Sequence, residues 1–130
     1  MIIDSSALVA ILLEEPEGHR LDVAILKSTD PRICAGTLLE TSMILTSRRG
    51  AGGVLDLDLQ LMRFGIEVIP FTEKQARIAR TAFEHYGKGR HPAQLNFGDC
   101  MAYAAAKESG EELLFKGTDF ALTDIAVACY

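Results

Sequence analysis

The sequence predicts an α/β domain: a central, mainly parallel five-stranded sheet covered by helices on both faces. Short apolar stretches alternate with longer helical patterns along the 130 residues, the pattern of strand–helix–strand units. The strand candidates are short apolar runs, as expected for a sheet buried on both faces. No repeat, low-complexity tract or linker interrupts the chain, so a single domain is expected over residues 1–130.

Met1–Asp4 reads as a strand that enters a helix from about Ser6 to Leu13, closed off by Pro16. A second helix follows from about Glu17 to Lys27. Arg32–Ala35 is the second strand and Thr37–Arg48 an amphipathic helix. Gly50, Gly52 and Gly53 predict a turn, with a further helix to about Phe64. Ile66–Ile69 is the third strand, and Thr72–His85 a helix with a capping-box start, Thr72-Glu-Lys-Gln75. Tyr86–Gly98 reads as a glycine-punctuated loop and Asp99–Ser109 as a helix. Glu112–Phe115 and Ile125–Ala128 complete the five strands.

Composition narrows the function classes. The longest apolar run, Ala7 to Leu13, falls far short of the ~20 residues a membrane span needs. No basic region precedes the opening apolar residues as in a signal peptide, so a cytoplasmic location is expected. Cys34, Cys100 and Cys129 are odd in number and widely spaced, with no Cys-x-x-Cys pair. They read as three reduced core thiols. His19, His85 and His91 lack metal-ligand spacing and read as surface residues. The net charge of −5 argues against a nucleic-acid partner. Setting aside four of the 18 acids leaves 14 against 13 bases, however, and the balance is then close to neutral.

Those four are Asp4, Glu40, Asp99 and Asp119. Ligands of a parallel sheet bind beyond the carboxyl ends of its strands. Asp4 follows the first strand, Glu40 lies in the first turn of the helix after the second, and Asp119 sits just past the fourth. Asp99 opens the helix that leads back to that fourth strand. Clustered carboxylates repel one another unless a cation neutralises them. Oxygen ligands without a nearby histidine or thiol point to magnesium, with manganese as a substitute. Divalent ions held this way activate water for phosphodiester hydrolysis, so no Ser-His or Cys-His pair is required. Ser6 and Asn96 are candidate helpers that orient ligands or water. Each acid also has an ordinary reading. Asp4 fits a helix cap, a role open equally to Ser5 and Ser6. Thr37-Leu-Leu-Glu40 fits a capping box, although Met43 and Ile44 share the Glu40 face. Asp119 fits a turn. Asp99 resists most, because Ala102, Tyr103 and Ala106 continue its stripe as apolar residues.

These segments resemble a known family. "MIIDSSALVAILLEEPE", "TLLETSMIL" and "YGKGRHPAQLNFGDCMAYAAAKESGEELLFKGTDF" are similar to the corresponding stretches of PIN-domain toxins of the VapC type, and the likeness runs to about Ile125. The resemblance implies a single PIN-like nuclease domain that acts as a Mg²⁺- or Mn²⁺-dependent endoribonuclease on structured RNA such as tRNA or rRNA. It implies a homodimer, held inactive by a VapB-type antitoxin whose C-terminal segment fills the active-site groove. DNA would be met only through that antitoxin, at the operon the complex represses. Asp4 and Asp99 become the principal metal ligands, with Glu40 and Asp119 completing the site. The place of Asp119 is open to its neighbour Asp124.

For the RNA, the loop before Asp99 concentrates Lys88, Arg90 and His91, and Lys116 lies three residues before Asp119. These cations would offset phosphate charge; Tyr86 or Phe97 would stack on a base. Other classes fit less of the chain. A receiver-like module would use Lys116 but wants adjacent acids after its first strand, where Ile2 and Ile3 stand. A haloacid-dehalogenase-type phosphatase wants Asp-x-Asp, and position six is Ser6. A catalytically idle PIN scaffold would not need all four acids, and a flap-type deoxyribonuclease would need a larger chain.

Overall fold

A computed structural model describes residues 1–130. Its elements run β1 (Ile2–Ile3), α1 (Ser5–Leu12), α2 (Gly18–Lys27), β2 (Arg32–Cys34), α3 (Ala35–Phe64), β3 (Glu67–Ile69), α4 (Glu73–Tyr86), α5 (Phe97–Ser109) and β4 (Leu113–Leu114), then a 3₁₀ turn at Phe120–Leu122. The strands pair in the order β3-β2-β1-β4, all parallel.

Side-chain alternation along the strands divides the interior in two. Ile2, Cys34 and Leu113 face a core closed by α4 and α5 through residues such as Ala79, Ala82, Ala102 and Ala105. Ile3, Ile33 and Leu114 face the other way, against Ala7 and Leu8 of α1, Leu21 and Ile25 of α2, and Leu45 and Leu57 of α3. Because helices cover both faces, β1 and β4 are apolar on both sides, whereas the edge strand β3 exposes Glu67 and Val68. The chain winds from β1 outward to β3 and then returns past β1 to lay down β4. The sheet order therefore reverses between β1 and β4, and a crevice opens at their carboxyl ends.

The sheet has four strands rather than five. Ile125–Ala128 makes only a single parallel bridge, Leu113 to Val127, with Leu113 N–H donating to Ala126 (2.9 Å) and Ala128 N–H to Leu113 (3.0 Å). The two-residue β4 offers this segment no longer edge to pair with.

Three further expectations are corrected. The expected glycine turn is present but narrower: the two helical halves are broken at Gly50 alone (φ 63°, ψ −152°), a conformation suited to glycine. Gly53 lies beyond the break in helix, where a Cβ would come within 2.9 Å of the Leu45 carbonyl, so it allows the two halves to pack closely. The helix predicted from Asp99 starts at Phe97. Cys34 and Cys100 are buried free thiols as expected, whereas Cys129 is exposed, since the neighbouring Ala128 takes the inward position.

Candidate active site

Asp4 leaves β1 with its N–H bonded to the Leu114 carbonyl at 2.9 Å, which ties it to the end of β4. It caps α1: Oδ2 accepts the Ser6 N–H (3.0 Å) and the Ser6 hydroxyl (2.6 Å). The side chain is only 2% exposed, and Oδ1 has no hydrogen-bond partner. Burial raises its carboxyl above the ordinary range, the Ser6 bonds oppose that, and Asp119 adds to it.

Glu40 stands in the second turn of α3 rather than the first, because the helix starts at Ala35 directly off β2. The expected capping box is absent. Cys34 is the N-cap without a side-chain bond, Thr37 lies inside the helix, and its buried hydroxyl has no partner. Glu40 is free of that role and turns toward α5. A Cβ at Gly98 would fall 2.1 Å from its Oε1, so the missing side chain of Gly98 makes the space in which this carboxylate sits. Glu40 Oε2 is buried without a partner. Burial raises the Glu40 carboxyl, with repulsion from Asp4 and Asp99 adding to it and the Ser5 hydroxyl opposing.

Asp99 has the box that Glu40 lacks. Asn96 caps α5 by accepting the Asp99 N–H at 3.0 Å, and Asp99 Oδ2 accepts the Asn96 N–H at 2.8 Å. The residue that best resisted an ordinary structural role thus has one, and the carboxylate is oriented by it. Burial pushes Asp99 up to about 6; the Asn96 bond opposes this, while Asp4 and Asp119 add to it. Asp119 is the exposed residue that opens the 3₁₀ turn, with no side-chain cap bond.

Each of the four acids is electrostatically coupled to others in the set: Asp4 with Asp119, Glu40 with Asp4 and Asp99, Asp99 with Asp4 and Asp119. Asp4 lies at the carboxyl ends of β1 and β4, where its N–H is bonded to Leu114. Asp124 is elsewhere: its carboxylate takes the Tyr103 hydroxyl and the Lys107 ammonium, both at 2.6 Å. No three His, Cys, Asp or Glu side chains already stand at metal-cage spacing. The donor set still suits a hard cation, since it is all oxygen and two buried carboxylate oxygens, on Asp4 and Glu40, have no other partner. The largest surface cleft, about 520 Å³ around Tyr103, Lys107 and Asp124, contains none of the four acids.

Of the predicted helpers, Ser6 holds Asp4 and Asn96 holds Asp99. Lys88, Arg90 and His91 lie on the loop between α4 and α5, closed by a bridge from Gly87 to Leu95. Lys88 and Arg90 are exposed. The Arg90 guanidinium stands 5.7 Å from the Phe83 ring centre, and His91 packs edge-on against Tyr86. Lys116 is not free: its ammonium is bonded to Glu15 (2.6 Å) and paired with Glu17 (3.2 Å). Phe97 is 81% exposed two residues from Asp99. Gly98 was missed from the sequence because it reads there as the end of the loop, and only the start of α5 at Phe97 places it in the first helical turn.

The PIN domain family model matches residues 1–126. A ribonuclease VapC of Mycolicibacterium smegmatis is 47% identical over 126 residues, covering 97% of this chain and 98% of the relative. Among solved structures, Mycobacterium tuberculosis VapC20, described as a toxin that cleaves the sarcin–ricin loop, aligns with a TM-score of 0.78 at 16% identity, over 96% of this chain and 95% of that one. The Rickettsia felis VapBC2 complex bound to a promoter DNA fragment aligns at 0.73 and 17%, over 97% and 95%.

Proposed function

The chain belongs to the PIN-domain family, and from that premise we propose that it is a divalent-metal-dependent endoribonuclease, the toxin of a VapBC-type pair. Its substrate is a structured RNA, tRNA or rRNA. One observation carries the reading. Carboxylates from four separate parts of the chain lie near enough to repel one another, and buried oxygens on Asp4 and Glu40 are left without partners. Leaving such groups uncompensated is costly unless a cation is part of the working site.

Asp4 and Asp99 would hold Mg²⁺ or Mn²⁺, with Glu40 and Asp119 completing the shell. When bound, the ion supplies activation of water and stabilisation of the departing oxygen in phosphodiester hydrolysis. The chain supplies orientation. Ser6 fixes Asp4 by two hydrogen bonds, so the unpartnered Oδ1 is the atom it presents. Asn96 fixes Asp99 differently: its N–H donates to Asp99 Oδ2, and its side-chain oxygen accepts the Asp99 N–H. Lys88, Arg90 and His91 would bind flanking phosphates without reading sequence, and exposed Phe97 would take a base by stacking. A VapB-type antitoxin would cover the crevice, and the working form would be a homodimer of single-domain chains spanning residues 1–130.

The test is cleavage of a pooled tRNA and rRNA preparation with Mg²⁺, with EDTA, and with Asp99→Asn. Cutting that needs Mg²⁺ and is absent from the variant supports the proposal. Cutting that survives EDTA or Asp99→Asn overturns it.

A further inference from the structure

Lys116 reads from the sequence as a phosphate contact, yet both ends of the residue are engaged inside the protein. Its ammonium is held by Glu15 at 2.6 Å and Glu17 at 3.2 Å, in the turn between α1 and α2. Its backbone N–H donates to the Ser6 hydroxyl at 3.0 Å. That hydroxyl in turn donates to Asp4 Oδ2 at 2.6 Å. Lys116 also begins the segment that carries Asp119, and Gly117 turns it at φ 113°. One residue therefore joins the α1–α2 turn, the Asp4 cap and the loop bearing Asp119.

The turn it grips is closely built. Glu14 adopts φ 54°, uncommon for a residue with a Cβ. A Cβ at Gly18 would come within 2.7 Å of the Ala10 carbonyl, so α2 starts hard against α1. Two carboxylates on one ammonium, each about two-thirds shielded from solvent, make a firmer anchor than a lone surface pair.

We infer that Lys116 is a positioning residue: the Glu15–Lys116–Glu17 latch fixes Ser6 and the 116–119 loop so that Asp4 and Asp119 present their oxygens to one cation. This rests on the metal-site reading above. It assigns Lys116 to the metal and not to the RNA, and it predicts a sign. Plain electrostatics says that removing a positive charge from the chain does not weaken divalent-metal binding. The latch says that it weakens it.

The experiment is calorimetric titration of Mn²⁺ into the full chain, without RNA, for wild type, Lys116→Met, Lys116→Arg, Glu15→Gln/Glu17→Gln and the triple variant. Residues that orient metal ligands typically cost 10- to 100-fold in affinity when lost. The latch therefore predicts about a tenfold loss for Lys116→Met and recovery by Lys116→Arg. The triple variant should lose little more than Lys116→Met alone, because all three residues act as one unit. In cleavage assays kcat should fall while KM for RNA and its salt dependence hold. Unchanged or tighter Mn²⁺ binding by a folded Lys116→Met overturns the latch alone. A raised KM with a salt slope shallower by about 0.7–0.9, the loss of one phosphate contact, overturns it in favour of RNA contact. Absence of Mn²⁺ binding by wild type would remove the metal site itself and the latch with it.

Discussion

The starts of α3 and α5 carry the same local signature, a small polar residue followed three positions later by an acid, and they use it in opposite ways. At α5, Asn96 and Asp99 form a reciprocal capping box. At α3, Thr37 and Glu40 form none. The difference lies in where each helix begins. Asn96 follows a loop and is extended (φ −90°, ψ −174°), so it can cap. Thr37 comes after β2 has already turned into helix at Ala35, and its hydroxyl is buried without a partner. Asp99 is thus held by hydrogen bonds, whereas Glu40 is held by shape, in the space left by Gly98.

Asp99→Asn should break this pairing most completely. The capping bonds can persist through the amide oxygen, so the fold should survive while RNA cleavage falls to background; circular dichroism and a gel assay read the two together. Next comes Gly98→Ala, which drives a methyl group into the Glu40 carboxylate and leaves the Asn96–Asp99 box in place. Mn²⁺ affinity should drop by about 10- to 100-fold, measured by calorimetry. An unchanged affinity would show that Glu40 has no part in the site.

Two smaller effects sharpen the contrast. Asn96→Ala should lower stability by about 1 kcal/mol, the usual loss for a side-chain cap, whereas Thr37→Ala should not incur a capping loss; denaturant midpoints separate them. The last concerns pH. The folded Asp99 carboxyl titrates at about 6 against an ordinary 3.8, so between those values the folded chain binds a proton that the unfolded chain releases. Stability then falls as pH rises through that window. Burial and neighbouring acids push Asp4 and Glu40 in the same direction. The metal-free melting temperature should rise as pH drops from 7 to 5, and rise less in Asp99→Asn. A fall over that range in wild type would contradict the electrostatic picture of the crevice.

Much of this was legible in the sequence, for identifiable reasons. Short apolar strands such as Ile2–Ile3 and Leu113–Leu114, between helical patterns, suffice to predict a parallel sheet, and strand ends then locate Asp4 and Asp119. At the α4 start only half of the expected capping box forms: Thr72 accepts the Gln75 N–H at 3.2 Å, whereas the buried Gln75 side chain turns to Cys34. What stayed hidden depends on tertiary placement. Nothing local says that Thr37 lies inside a helix already begun, that Gly98 faces Glu40, or that Lys116 finds Glu15 about a hundred residues away. The fifth strand fails for a similar reason, because pairing at Ile125–Ala128 is limited by its partner β4 and not by its own apolar pattern.

The central claim is that Asp4, Glu40, Asp99 and Asp119 form one cation site. Its most direct test is calorimetric titration of Mn²⁺ into wild type and Asp4→Asn at neutral pH, with folding verified for both. The account predicts saturable binding by wild type that Asp4→Asn abolishes. Equal binding by the two proteins would contradict it.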